Sequence, residues 1–177
     1  YLQYHSRLSK TLYEDLGRPE YEAYAEMVLV MEEVNNAIKT LSSFIAHGAK
    51  EQLLSCYHAC QIEGTQENEV ADRALKNVCL SYLSVLPQYQ YLVADQYQQA
   101  TDDVALENMT DSLAALSCSA KHNLPDLSQQ LQHFEQKWQQ TTLVMDKWFA
   151  LNASVTSDDI FIQLDHLLAH PQFSLKN

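Results

Sequence analysis

The sequence predicts an all-α protein: an α–α superhelix of antiparallel helix pairs, in the manner of an irregular HEAT-like array. Three observations predict it. Apolar residues recur 3 and 4 apart through most of the chain, the spacing of one helix face. No run alternates apolar and polar residues for long enough to read as a strand. Only 3 Gly and 4 Pro interrupt 177 residues, which suits helices joined by short turns and therefore antiparallel neighbours. Successive helical pairs without a strict sequence period suggest an irregular solenoid.

The first helical pattern lies in Tyr1 to Leu16 and ends at Gly17, since Gly past the last apolar residue is a usual stop. Pro19-Glu20-Tyr21-Glu22 opens a long helix, with Pro in the first turn and acids at the positive dipole end. Its face is Met27, Met31, Val34, Ile38, Leu41 and Ile45, widened by Val30, Ala37 and Phe44, and Gly48 ends it. That pattern predicts packing on two neighbours, with a coiled-coil dimer seam as the alternative.

Lys50 to Ile62 continues with Leu53, Leu54, Tyr57 and Cys60, and Gly64-Thr65 breaks it. Val70 to Leu86 is the cleanest periodic run, with Leu75, Val78, Cys79, Tyr82, Leu83 and Leu86 expected inward and Pro87 as the stop. Tyr89, Leu92, Val93, Tyr97 and Ala100 form the next face. After a loop at Asp102-Asp103 and Asn108-Met109, Thr110 is the expected N-cap of a helix through Leu113, Leu116 and Ala120.

Pro125 starts the helix of Leu127, Leu131, Phe134 and Trp138; beyond Gln139-Gln-Thr-Thr142, a second face follows at Val144, Trp148, Leu151 and Val155. Both tryptophans of the chain lie here, and large aromatics at helical spacing predict a helical hairpin core. Thr156-Ser157-Asp158-Asp159 caps a last helix with Ile160, Leu164, Leu167 and Leu168 inward, and Pro171 stops it.

Composition bounds the partners. A net charge of −12 and a pI near 4.8 oppose attraction to nucleic acid or anionic lipid. The run Met27 to Met31 is far too short to cross a bilayer. Cys56, Cys60, Cys79 and Cys118 contain no C-x-x-C and read as buried free thiols of a reducing compartment. A cytoplasmic location follows as the expectation. A chain that opens on Tyr1 is expected to lack its natural N-terminus.

Catalytic patterns are not found. None of the seven histidines is followed by Glu, so the His-Glu-x-x-His zinc motif is missing. His166 and His170, one turn apart beside Asp165, imitate a metal pair, but Pro171 ends the helix there and no third ligand is evident; a surface helix end is the reading, since His suits a C-terminal turn. No Gly-rich phosphate loop, G-x-S-x-G elbow or nucleophilic cysteine context occurs. Acid pairs at Asp102-Asp103 and Asp158-Asp159 sit beside caps, and the sequon matches at Asn108 and Asn152 read as caps or chance. No catalytic, cofactor-binding or metal-ligating residue is assigned. On chemistry alone the chain is a non-catalytic helical module.

Four blocks carry a resemblance: Arg73-Ala-Leu-Lys-Asn-Val-Cys-Leu80, Asn108-Met-Thr-Asp-Ser-Leu-Ala-Ala-Leu116, Lys137-Trp138 with Leu143-Val-Met-Asp-Lys-Trp-Phe-Ala-Leu151, and His170-Pro-Gln-Phe-Ser-Leu-Lys-Asn177. In order and separation they resemble the C-terminal domain of bacterial-type aminopeptidase N, the zinc alanyl aminopeptidases of the gluzincin group. The match covers about Val70 to Asn177; Glu33 to Gln61 resembles the family more loosely, and residues 1–32 are not placed by it. The resemblance implies a parent metallopeptidase with one catalytic zinc that removes N-terminal residues from short peptides. Its zinc ligands and general base lie in a separate domain, so this chain holds no zinc. The C-terminal domain is a helical superhelix that packs over the catalytic domain of the same polypeptide and restricts peptide access. Residues 1–177 are thus expected to be a single helical domain, itself a fragment of that C-terminal domain cut at both ends. The alternative is a stand-alone α-solenoid scaffold that binds a protein or peptide partner.

Overall fold

In a computed structural model, residues 19–61, 69–102, 108–155 and 159–174 are described. They form eight α-helices and one 3₁₀ turn, and no strand occurs among them, as the periodicity predicts. The helices are α1 (Pro19–Gly48), α2 (Lys50–Ala59), α3 (Glu69–Leu83), α4 (Tyr91–Asp102), α5 (Met109–His122), α6 (Leu127–Trp138), α7 (Thr142–Ser154) and α8 (Ile160–Leu168), with the turn at Pro87–Tyr89. The expected helix before Gly17, the break at Gly64-Thr65 and the cap residues Thr156 to Asp158 lie outside the described residues.

The chain divides into two compact units, Tyr1–Phe44 and Ile45–Asn177. Within the first, α1 begins at Pro19 as read from the sequence. Its apolar stripe was expected to be covered by two neighbours. Instead Met27, Met31, Val34, Ile38 and Leu41 are each about half exposed, from 47% to 59%. Periodicity locates an apolar face; it does not supply the surface that covers it.

In the second unit α5 is the centre. It packs against α3, α4, α6 and α7, while α2 pairs with α3 and α7 carries α8. The reason lies in its inward side chains: Ser112, Ala115, Leu116 and Ser119 are all almost fully buried. Three of the four are small, so neighbouring helix axes can come close before side chains collide. The helix ends at Asn123 in the left-handed conformation (φ 48°), where the Leu124 N–H donates to the Ser119 carbonyl at 3.0 Å. Asn tolerates that backbone better than most side chains, and the bond satisfies a terminal carbonyl.

The opposite end of α5 corrects the sequence reading. Asn108, not Thr110, is the N-cap: its Oδ1 accepts from the Asp111 N–H at 3.0 Å, and its Nδ2 donates to Asp111 Oδ2 at 2.9 Å. The first bond satisfies a backbone N–H of the opening turn, and the second holds the Asn108 amide in place to make it.

The core joins Tyr57 of α2, Cys79, Leu80 and Leu83 of α3, Leu92, Val93 and Tyr97 of α4, Leu127 and Phe134 of α6, and Val144, Met145, Trp148 and Phe149 of α7. The stripes expected on α4, α6 and α7 are therefore inward. On α3 the burial is rotated: Leu75 and Val78 are about half exposed and Leu80 takes their place. On α8, Ile160 and Leu167 are buried but Leu168 is 57% exposed.

All four cysteines are free, with Cys79 and Cys118 buried and Cys56 and Cys60 half-buried. The expectation of four buried thiols thus holds for two. Burial pushes the Cys79 thiol up to about 12 and raises Cys60 and Cys118 as well. Since the thiolate is the reactive form, at most one cysteine is expected to react quickly with a thiol reagent in the folded chain, and all four after denaturation. Fast native labelling of two or more would contradict this.

Candidate functional site

A concavity lies along α6, α7 and α8. A groove of about 810 Å³ runs beside Ser128, Gln132 and Glu135 of α6, over Trp148 and Asn152 of α7, to Gln163 of α8. It continues into a hollow of about 510 Å³ bounded by Glu135, Trp148, Gln163, His166 and His170. Among the described residues neither part is lined by Lys or Arg, whereas Glu135 and Asp159 line both.

The α6 wall follows from its sequence. Leu127, Leu131 and Phe134 point into the core, so Ser128, Gln132 and Glu135, each one position further on, form an adjacent polar stripe. The floor is fixed by Trp148, whose Nε1–H donates to the Leu131 carbonyl at 3.0 Å. That bond ties α7 to α6 and leaves the indole only its ring to offer the groove.

The α8 wall is tied down by Gln163. Its Nε2 donates to the Asn152 carbonyl at 2.6 Å and to Asn152 Oδ1 at 3.0 Å. A backbone carbonyl can only accept, so the orientation of both amides is set by the network.

His170 closes the far end. It lies 3.1 Å from Glu135 Oε1 through Nε2, and its ring is 5.7 Å from Trp148 and 5.1 Å from Phe149, centroid to centroid. The Gln172 N–H donates to its Nδ1 at 3.2 Å, so the neutral ring carries its proton on Nε2 and donates to the carboxylate. Phe173 adds an edge contact to Phe149 at 5.5 Å. His170 is thus a structural clasp, while His166 is an exposed groove-wall residue. No three His, Cys, Asp or Glu side chains converge to hold a metal among the described residues. The zinc implied for a parent enzyme has no fitting donor set among these described residues.

Of the acid pairs, Asp103 and Asp158 lie outside the described residues; Asp102, Asp159 and the two sequon asparagines have local places. Asp102 ends α4, Asp159 precedes α8, Asn108 caps α5 and Asn152 bonds Gln163. Sequence reasoning missed the groove, because Glu135, Asn152 and Gln163 belong to three different helices and no local pattern joins them. The Ser128, Gln132, Glu135 stripe, spaced 4 and 3, was the one legible sign.

A second polar cluster is buried beneath α5. Asp111, 4% exposed, accepts from Lys76 Nζ and, at 2.8 Å, from Asn77 Nδ2. Gln96 Nε2 donates to Asn77 Oδ1 at 2.8 Å and to the Asp111 carbonyl at 3.2 Å. It faces other helices and not solvent, so it is a structural knot.

Comparison with known proteins agrees with this architecture. The model of a domain of unknown function, DUF3458_C ARM repeats, matches residues 7–177. Aminopeptidase N of Haemophilus influenzae is 38% identical over 135 residues, 75% of this chain and 15% of that protein. Aminopeptidase N of Escherichia coli is 34% identical over 174 residues, 93% of this chain and 19% of that protein. The chain thus spans less than a fifth of the length of either relative. In fold it is similar to the crystal structure of Legionella pneumophila aminopeptidase A in complex with aspartic acid. There the TM-score is 0.68 at 23% identity, over 82% of this chain and 18% of that one. These similarities, the all-helical core and the four sequence blocks fit the C-terminal domain of aminopeptidase N, and the chain belongs to the DUF3458_C family of ARM-repeat domains.

Proposed function

We propose that this chain is a non-catalytic part of the C-terminal domain of a zinc-dependent aminopeptidase N. In that reading the parent removes N-terminal residues from short peptides, and the helical domain packs over the catalytic domain of the same polypeptide and restricts peptide access. The observation that carries the reading is the 34% identity to an aminopeptidase N sustained over 93% of this chain. The half-exposed apolar side chains support it, because surfaces such as Phe161 and Ile162 of α8 are more often covered by further protein than left in water. Four free cysteines favour a reducing, cytoplasmic location.

The test has two parts. The native protein that carries this segment should migrate several-fold heavier than 20.2 kDa on an immunoblot of the source cell. The purified chain with zinc added should leave an alanyl chromogenic substrate uncleaved. A native band at the chain's own mass would select the stand-alone scaffold, and turnover by pure chain would overturn the non-catalytic assignment.

A further inference from the structure

We propose that Cys56, Cys60 and Cys79 form a hydroperoxide-responsive thiol site, in which Cys56 is oxidised and closes a reversible disulfide with Cys79. Cys56 and Cys60 sit one turn apart at the end of α2, where the Cys60 N–H donates to the Cys56 carbonyl at 3.0 Å. Cys79 comes from α3, which packs on α2, and belongs to the buried core. Cys56 lies against that core from a half-buried position. It is the hub of the group, because its side chain is hydrogen-bonded to the thiols of both Cys60 and Cys79. The fourth cysteine, Cys118, is hydrogen-bonded to Ser84 instead.

The surroundings divide the roles. Burial, and then the hydrogen bond to Cys56, raises the Cys79 thiol; burial, and then negative charge at Cys56, raises Cys60. Both keep their protons and offer them to the Cys56 sulfur. Cys56 is thus the half-exposed thiol that an oxidant meets, and Cys79 the thiol waiting beside it. The three thiols do not form a group that could hold a metal ion, which favours chemistry between pairs.

The co-reactant is a hydroperoxide, with hydrogen peroxide the simplest. Cys56 Sγ gives up its proton and attacks one peroxide oxygen; the O–O bond breaks, and the departing oxygen leaves as water with that proton. Cys56 is then a sulfenic acid. Cys79 Sγ attacks the Cys56 sulfur, the S–S bond forms, and the S–O bond breaks. The Cys79 proton leaves with the hydroxyl as a second water. The two thiols lose two electrons and the peroxide gains them. A reducing thiol reverses the bond by exchange, so in a reducing compartment it is transient.

Helix geometry selects Cys79 over Cys60 as the partner. Residues one turn apart hold their Cβ atoms about 5–6 Å apart, whereas a disulfide needs about 3.5–4.5 Å. Closing Cys56 on Cys60 would therefore break the last turn of α2 and its 3.0 Å bond. Cys79 belongs to another helix, so side-chain rotation brings its sulfur to Cys56 without breaking a helical bond. The inference is independent of the aminopeptidase reading.

The test treats the reduced 177-residue chain with hydrogen peroxide, blocks remaining thiols with N-ethylmaleimide, and maps unreduced peptides by mass spectrometry. A Cys56–Cys79 link within one chain is expected, with Cys60 and Cys118 alkylated, and dithiothreitol should restore all four thiols. Cys79→Ser should leave Cys56 as a sulfenic acid, with about tenfold more dimedone adduct than the unaltered chain. Cys60→Ser should leave the link unchanged, and Cys56→Ser should abolish it; circular dichroism checks each fold. The linkage map of the unaltered chain decides the pairing even if a core variant does not fold. A Cys56–Cys60 link or a link between chains as the main product would overturn the proposal. So would four free thiols after a peroxide treatment that oxidises the same chain in urea.

Discussion

Trp148→Ala is expected to cost about 3–5 kcal/mol of folding stability, as large-to-small changes in a core do. Trp148 is 5% exposed, so truncation leaves a cavity where α6, α7 and the segment after α8 meet. Three contacts go with the ring: the bond to the Leu131 carbonyl, the edge contact to Phe149 at 5.1 Å, and the tilted ring contact with His170 at 5.7 Å. Loss of the indole N–H also leaves the Leu131 carbonyl to find another donor. Trp148→Phe should cost less, because it retains much of the apolar volume. Urea unfolding followed by circular dichroism measures both, and a Trp148→Ala loss below about 1 kcal/mol would mean that the residue is not part of the core.

Trp148 also shows what kind of information was legible in the sequence. The stripes of α6 and α7 are built from Leu, Phe, Val and Trp, which have no better place than a core, so spacing alone located them. The α3 helix was harder. It carries apolar residues on two faces, Leu75 with Val78 and Cys79 with Leu80, and only the positions of α2 and α5 decide that the second face is buried. The role of α5 itself was hidden, since Ser112, Ala115 and Ser119 owe their burial to small size and not to hydrophobicity. The cap of α5 was misplaced by two residues for a related reason: Thr110 and Asn108 are both good caps, and Asp111 selects Asn108 by pairing with it. The groove was unreadable because its parts are distant in sequence.

The four blocks that carried the family resemblance meet in two places. Lys76 and Asn77 of the first contact Asp111 of the second, and Trp148 and Phe149 of the third contact His170 and Phe173 of the fourth. Each place is a junction between helices with no exposed chemistry. In this chain the blocks therefore act as fold determinants, which is why they identify a domain without supplying a catalytic residue.

The first of these junctions gives the second large effect. Asp111→Ala is expected to destabilise the chain by about 3–5 kcal/mol, the usual cost of removing one partner from a buried ion pair. The Lys76 side chain is only 15% exposed, so its ammonium would lose its carboxylate while still largely shielded from water. Asn77 and the Asn108 amide would each lose an acceptor at the same time. The pair itself is not predicted to be a large net source of stability, because desolvation of both charges offsets most of their attraction. A double-mutant cycle separates the two statements. If the penalty is the stranded ammonium, Lys76→Met in the Asp111→Ala background should restore part of the loss. If it restores nothing, the loss comes from the cap, and Asn108→Ala alone should reproduce about 1 kcal/mol of it.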